Sequence, residues 1–231
     1  VFGVTDIDFL SYNIYHDGIK PSDEKVKAIH DYEKPKSVKQ LQKFFGMVNY
    51  YHRCIPKIAE FLSPIHTIRN DALKRKDKAL VWSCDAENSF IMVKEHFSLN
   101  VLLNHFNSAA VLSLTVDASN IAVGGVLQQS VNNVIEPLAF YSSKLTSSEM
   151  KYSSFDRDLL AIYLNVKHFK HFLEGRSFVI FTNHKPLTQV LNSRVDHSPR
   201  QTHHLEYIAQ FTSDIRYIKG EANIVVDTLS R

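Results

Sequence analysis

Apolar and polar residues follow different patterns in the two halves of this chain. In the first half, apolar residues recur every three or four positions, which is typical of helices that bury one face. Ser37 and Gln40 form a capping-box pattern, in which two side chains satisfy backbone N–H groups at the start of a helix. These signals predict a mainly helical subdomain, with helices over 22–34, 37–54, 58–69 and 82–97.

From residue 108 the pattern becomes that of strands interspersed with helices. Apolar and polar side chains alternate over 112–117, which predicts a half-buried strand that ends in Asp117. A helix with one apolar face is predicted from Phe155 to Leu173. The other predicted elements are strands over 126–130, 134–142, 178–182 and 214–218 and helices over 185–191, 200–211 and from 223. The sequence therefore predicts an α/β fold, in which a mixed β-sheet flanked by helices follows the small helical subdomain.

Glycines mark three places where the backbone is expected to be special. Gly46 lies inside the second predicted helix, where it costs about 1 kcal/mol relative to alanine, so close packing against another segment is expected. Gly124 and Gly125 predict a tight turn into the strand that follows them. Gly175 follows the long helix and suits the left-handed residue that ends many helices.

Composition restricts the class of protein more than its function. The 231 residues include two cysteines, so no disulfide framework exists and a reducing compartment is expected. No apolar run approaches the roughly 18 residues of a membrane span, and residues 1–10 do not resemble a signal peptide. The formal net charge of +3 permits a nucleic-acid partner without requiring one.

Positive charge is concentrated between residues 34 and 59, which hold six basic residues and no acidic one. Aromatic residues lie among them, and cations interleaved with rings suit a phosphate backbone and its bases. The same spacing also fits rings that face a core and charges that are simply solvated. The candidate nucleic-acid-binding residues are Lys39, Lys43, Arg53 and Lys57 in this stretch, and Lys167 and Lys170 at the end of the long helix.

Five segments stand out in order: LQKFFGMVNYYHR at 41–53, TVDAS at 115–119, YSSFDRDLLA at 152–161, TNHKPL at 182–187 and VDTLSR at 226–231. The first resembles the thumb signature of reverse transcriptases from gypsy-type LTR retrotransposons. The other four resemble successive motifs of the RNase H domain that follows that thumb. The resemblance implies the end of the palm and the thumb over 1–73, a connection segment over 74–107 and an RNase H-like domain over 108–231.

The resemblance also implies a chemistry. RNase H domains cleave the RNA strand of an RNA–DNA hybrid with four carboxylates that hold two Mg²⁺ ions, for which Mn²⁺ can substitute. Matched motif by motif, the catalytic positions are Asp117, Asp158, Asn183 and Asp227, and the charged metal ligands among them are Asp117, Asp158 and Asp227. Two positions depart from the family pattern, since Asp158 stands where glutamate is usual and Asn183 where aspartate is usual. We therefore expect weakly held metal and weakened or absent hydrolysis, with hybrid binding better preserved.

Other interpretations of these residues stay open at the level of sequence. Taken alone, Asp117 is typical of a turn, Asp158 and Asp227 can complement helix dipoles, and Asn183 suits the turn before Pro186. Two other functions are therefore open. The chain is a non-catalytic module, decayed or domesticated for nucleic-acid or protein binding, or it is a competent nuclease that tolerates both Asp158 and Asn183.

The expected partners follow from the same resemblance. They are an RNA–DNA hybrid and the remainder of the reverse transcriptase or a second subunit, with no membrane. The sequence has no adjacent aspartates, so it lacks the family's polymerase metal motif. An intracellular location in the cytoplasm, a virus-like particle or the nucleus is expected.

Overall fold

The computed structural model describes residues 3–77, 79–98, 102–192 and 196–219. The chain divides into two compact units, with the boundary between His105 and Phe106. The boundary expected between residues 73 and 74 lies inside the first unit and stays a prediction.

The first unit, in the residues that the structure describes, combines an antiparallel sheet with four α-helices. Its strands, paired in chain order, are β1 (Asp6–Phe9), β2 (Tyr12–Tyr15), β3 (Gly18–Pro21) and β4 (Leu103–Asn104). Its helices are α1 (Asp23–His30), α2 (Val38–Tyr50), α3 (Ile58–Lys74) and α4 (Cys84–Ser98). The helices were predicted, but the strands were missed because elements of two to four residues are too short to show a clear alternation.

Helix α2 shows which face of the first unit's helices is buried. Its buried side chains are Leu41, Phe44, Phe45 and Val48. Ser37 caps the helix by accepting a hydrogen bond from the Gln40 backbone N–H, as the capping-box pattern predicts. The helix ends at Tyr50, four residues earlier than predicted, and a 3-10 turn (His52–Cys54) follows it. The expected close packing at Gly46 is wrong, since no atom beyond its two chain neighbours and the nearby backbone of α2 lies within 4 Å of the place that a Cβ would take there.

The second unit is built on a five-stranded mixed sheet, which confirms the predicted fold class. Its strands are β5 (Val111–Ala118), β6 (Ala122–Val131), β7 (Val134–Lys144), β8 (Phe178–Thr182) and β9 (Ile215–Tyr217), in the spatial order β7-β6-β5-β8-β9. The strands β5, β6 and β7 pair antiparallel, whereas β5, β8 and β9 pair parallel. Its helices are α5 (Ser154–His168), α6 (Lys170–Leu173) and α7 (Pro199–Ala209), with a 3-10 helix at Lys185–Asn192.

The glycine pair of the second unit lies inside a strand and not in the predicted turn. Gly124 and Gly125 pair with Asp117 and Val116 across β5 and β6. A Cβ on Gly125 would overlap Oδ1 of Asn165, a fully buried residue of α5. Gly125 is therefore needed because α5 approaches the sheet closely, and the chain reverses earlier, between β5 and β6.

Helix α5 covers the sheet with a buried row of side chains, Leu159, Ile162 and Val166, and Phe169 directly after the helix continues that row. The predicted long helix is interrupted at Phe169, after which the short α6 runs to Leu173. Gly175 has the expected positive φ of 73°. The helix predicted from Asn223 lies outside the described residues.

Candidate active site

Two polar side chains leave the sheet together at the carboxyl ends of β5 and β8. These strands are parallel and Val116 lies opposite Thr182, so the residues that follow them, Asp117 and Asn183, are neighbours. The Asn183 Nδ2 donates a hydrogen bond of 3.1 Å to Asp117 Oδ1. An amide therefore lies against a carboxylate at this edge of the sheet.

Helix α5 brings a second carboxylate to the same edge. Ser153 caps the helix by accepting from a backbone N–H, and Asp158 lies in the following turn with 6% of its surface exposed. The Ser154 hydroxyl donates to Asp158 Oδ2 at 3.4 Å. The Nδ1 of His184 lies 3.1 Å from the same oxygen. The Asp158 carboxylate is thus held from its own helix and from the loop after β8.

The electrostatic environment of Asp158 disfavours its charged form. Burial, reinforced by the negative charge of Asp117, raises its pKa from the ordinary value of 3.8 to about 6. His184 is the main group that opposes this shift, and Ser154 and Arg157 oppose it more weakly. Two carboxylates that share a partly buried site repel each other, and a cation between them relieves that repulsion. The edge is therefore suited to binding positive charge.

Sequence reasoning missed His184, although it lies inside a motif that was singled out. Its ring contacts the ring of Phe155 edge to face, with centroids 6.0 Å apart. Its backbone N–H donates to the Thr182 side chain at 3.2 Å. The signal that could have identified it is its position directly after Asn183, at a strand end that also faces α5.

The structure brings together three of the four predicted catalytic positions: Asp117, Asp158 and Asn183. The fourth, Asp227, lies outside the described residues. Whether these residues catalyse a reaction stays a prediction at this point.

The side chains at this edge fit a divalent cation by chemistry. Carboxylate and amide oxygens are the ligands that Mg²⁺ prefers, and Asp117, Asp158 and Asn183 carry such oxygens. Within residues 3–77, 79–98, 102–192 and 196–219, no group of three or more histidine, cysteine, aspartate or glutamate side chains lies close enough to hold a metal ion. The edge accordingly offers two carboxylates and one amide.

A second aspartate of α5, Asp156, anchors the start of the helix to α7. Its Oδ1 accepts a hydrogen bond from the Gln201 amide at 2.8 Å and lies 3.4 Å from Arg200 Nη2. Burial alone would raise the pKa of Asp156, but hydrogen bonds from Ser153 and Gln201 and the charge of Arg200 lower it below the usual value. The Arg200 guanidinium also lies 3.8 Å from the centroid of the Tyr152 ring. These contacts fix α7 against the start of α5, one turn from Asp158.

The basic candidates of the first unit do not form one uniform surface. Lys39 and Lys43 are exposed on α2, on the side away from its buried residues. Arg53 is exposed too, and its guanidinium lies over the Tyr12 ring at 5.3 Å. Lys57 is half-buried and has a left-handed backbone, with φ at 52°. Lys39 and Lys43 are therefore the best placed of the four to meet a phosphate.

The basic candidates of the second unit lie away from the carboxylate edge. Lys167 is exposed in the last turn of α5, with its Nζ 5.6 Å from the Tyr163 ring centroid. Lys170 is exposed at the start of α6. Asp158 lies near the other end of α5, about 14 Å from Lys167 along the helix axis at 1.5 Å per residue.

Comparison with known proteins finds similarity both for the second unit and for the chain as a whole. Residues 107–211 match the model of the RNase H-like domain found in reverse transcriptase. All of the chain aligns, at 30% identity over 234 residues, with the transposon Tf2-3 and Tf2-4 polyproteins of Schizosaccharomyces pombe. The chain spans 17% of the length of each of these polyproteins.

Solved structures share the fold at low sequence identity. The foamy viral protease-reverse transcriptase in complex with RNA/DNA hybrid superposes with a TM-score of 0.75, at 18% identity over 94% of this chain and 29% of that one. The same enzyme in complex with dsDNA gives a TM-score of 0.77, at 15% identity over 94% of this chain and 45% of that one. In the part of the chain that the structure describes, no helix is long and apolar enough to cross a membrane.

Proposed function

We propose that this chain binds an RNA–DNA hybrid and carries a weakened RNA-cleaving site, because residues 107–211 match the RNase H-like domain found in reverse transcriptase and the chain aligns with transposon polyproteins. The site is the edge formed by Asp117, Asp158 and Asn183, with Asp227 as the fourth position. The motif at 41–53 supports a gypsy-type LTR element as the source, and the remainder of a reverse transcriptase or a second subunit as a protein partner. A hybrid-bound fold relative supports the choice of nucleic acid.

The observation that carries the proposal is the hydrogen bond from Asn183 Nδ2 to Asp117 Oδ1. An aspartate at position 183 would set a third carboxylate beside Asp117 and Asp158, and their mutual repulsion would favour divalent cations. Asn183 removes that charge and supplies an N–H donor that satisfies Asp117 directly. Binding of Mg²⁺ at this edge then relieves less electrostatic repulsion, so we expect weak metal binding and slow hydrolysis.

Different residues of the chain serve metal binding and hybrid binding. Bound Mg²⁺ would activate the attacking water and stabilise the leaving oxygen of the RNA strand. Asp117 and Asp158 hold negative charge in a partly buried site, where each interaction with a cation is stronger than in water. Exposed lysines such as Lys39, Lys43, Lys167 and Lys170 contact phosphates and supply sequence-independent affinity for the hybrid. Binding therefore depends on a different set of residues from cleavage.

Cleavage of a labelled RNA–DNA hybrid in Mg²⁺ or Mn²⁺ tests the proposal, with the native chain compared with Asn183→Asp. Loss of a group that merely supports a metal ligand typically reduces metal affinity or activity by about 10–100-fold, and loss of a ligand's own charge should cost at least as much. We therefore expect Asn183→Asp to raise the cleavage rate by at least about tenfold. Asp117→Asn added to Asn183→Asp is the matched control and should abolish the gain. A native chain that already cuts as fast as Asn183→Asp would contradict the weakened site.

A non-catalytic binding module is the second candidate function. It is favoured by the contacts that the protein itself makes to both carboxylates, a hydrogen bond from Asn183 to Asp117 and the 3.1 Å approach of His184 Nδ1 to Asp158 Oδ2. The same assay separates the two functions, because a decayed module binds the hybrid but gains no cleavage from Asn183→Asp.

A further inference from the structure

The loop after β8 contacts both carboxylates of the edge with consecutive residues. Asn183 reaches Asp117 and His184 reaches Asp158, at 3.1 Å in each case. The loop is fixed at this point because the His184 backbone N–H donates to Thr182 on the last residue of the strand. The position of His184 is therefore set by the sheet and not by a flexible tether.

We propose that His184 is a positioning residue, which orients the Asp158 carboxylate for a divalent cation. This inference rests on the proposed function, since it concerns how the same site would hold its metal. His184 touches neither the metal nor the substrate in this arrangement, and it acts through Asp158.

The contacts of Asp158 explain what His184 does. Both of its side-chain partners among the described residues, Ser154 and His184, reach Oδ2. A carboxylate fixed through one oxygen by two groups has a defined plane, and Oδ1 is the oxygen that stays available to a cation. Neighbours that fix a metal-binding carboxylate in this way commonly matter almost as much as the ligand itself.

The aspartate at position 158 makes such a neighbour more important. Its side chain is one methylene shorter than the glutamate usual at this position, so it reaches less far from α5. A shift of about 1 Å in a reacting group can change a rate by on the order of 100-fold. His184 reaches Asp158 from the loop after β8 and limits the orientations that the short side chain can adopt.

The ring of His184 is also held in place by packing. Phe155, on the first turn of α5, contacts it edge to face at 6.0 Å between centroids. About a fifth of the His184 side chain is exposed, against 8% for Asp158. Ring packing against Phe155 and the polar contact with Asp158 are therefore separate, and substitutions can remove one while keeping the other.

Mg²⁺ binding measured by titration calorimetry tests the proposal without depending on cleavage. The parent is the Asn183→Asp chain, which is expected to bind the metal more tightly. His184→Phe keeps a ring against Phe155 but removes the ring nitrogen that lies 3.1 Å from Asp158 Oδ2, and we expect Mg²⁺ affinity to fall by about 10–100-fold. His184→Asn places an amide donor near the position of Nδ1, and we expect it to restore affinity to within about threefold of the parent.

Two controls make the result specific. His171→Phe changes an exposed histidine on α6 and should leave Mg²⁺ affinity unchanged. Thermal unfolding of each variant shows whether it folds, and rescue by His184→Asn is an outcome that a purely structural role of the ring would not produce. Unchanged Mg²⁺ affinity in His184→Phe would overturn the proposal. An increase would overturn it too, because it would show that the imidazole competes with the metal for Asp158. A parent that neither binds Mg²⁺ nor cleaves the hybrid would instead overturn the proposed function.

Discussion

The two units differ in how tightly they pack around one of their glycines. In the second unit, Gly125 lies where α5 approaches β6, and an added Cβ would overlap the Asn165 side chain and come within 2.9 Å of the Thr115 carbonyl oxygen. In the first unit, Gly46 lies on α2 with open space around the place of its Cβ. The close contact at Gly125 fixes α5, the helix that carries Asp158. The open space at Gly46 leaves the face of α2 that carries Lys39 and Lys43 free of tight packing.

The difference shows where each unit tolerates change. The Asn165 amide donates to the Gly124 carbonyl at 3.3 Å and to Ala161 on its own helix at 2.8 Å. Its Oδ1 is buried without a partner among the described residues. The interface of α5 and β6 is therefore both tight and polar, and it sets the height of α5 above the sheet. We expect the site to be sensitive to substitutions there and insensitive to those on α2.

Gly125→Ala should produce the largest effect on stability. The new methyl group meets a fully buried side chain and backbone, and overpacking of this kind costs about 1–3 kcal/mol. Denaturant unfolding measures the change. Gly124→Ala is the matched control, since its Cβ would lie 3.6 Å from the Tyr141 carbonyl oxygen, an ordinary contact. Equal losses in the two variants would show that the strand, and not the close approach of α5, accounts for the effect.

The sequence predicted the fold of the second unit well because its elements are long and regular. The apolar face of α5 is buried as predicted, and β5 covers the segment 112–117. The strand is not half-buried as the alternation predicts, because Thr115 is buried and its hydroxyl donates to Gln128. The glycine pair was misplaced because a tight turn and a close helix-to-sheet contact both favour glycine. The structure decides between these two explanations, because it shows the Asn165 side chain directly over Gly125.

The candidate site was predictable for the residues that a motif marks, and not for those that act through them. Asp117, Asp158 and Asn183 were selected by resemblance, and the structure places them at one edge. His184 lies in the same motif, but its contact with Asp158 joins residues 26 positions apart and follows from the strand order. The anchoring of Asp156 by α7 was missed for the same reason.

Substitutions on the exposed face of α2 should change hybrid binding more than they change stability. Replacing Lys39 and Lys43 with alanine removes two exposed charges, so we expect about tenfold weaker hybrid binding and a salt dependence shallower by about two in log–log slope. Fluorescence anisotropy across a series of salt concentrations measures both. Lys34→Ala is the control within the same basic stretch, because Lys34 pairs with Glu87 at 2.8 Å. An unchanged slope in the double variant would identify the face as merely solvated.

Gly46→Ala should produce the smallest effect and one of opposite sign to Gly125→Ala. Alanine is favoured over glycine inside a helix by about 1 kcal/mol, and open space at Gly46 leaves nothing to offset that gain. Gly175→Ala is the matched control, since it too has open space but a φ of 73°, where a side chain is strained. We therefore expect the free energy of unfolding to rise in Gly46→Ala and to fall in Gly175→Ala. A loss of stability in Gly46→Ala would mean that α2 packs more closely than its surroundings show, and the contrast between the two units would then disappear.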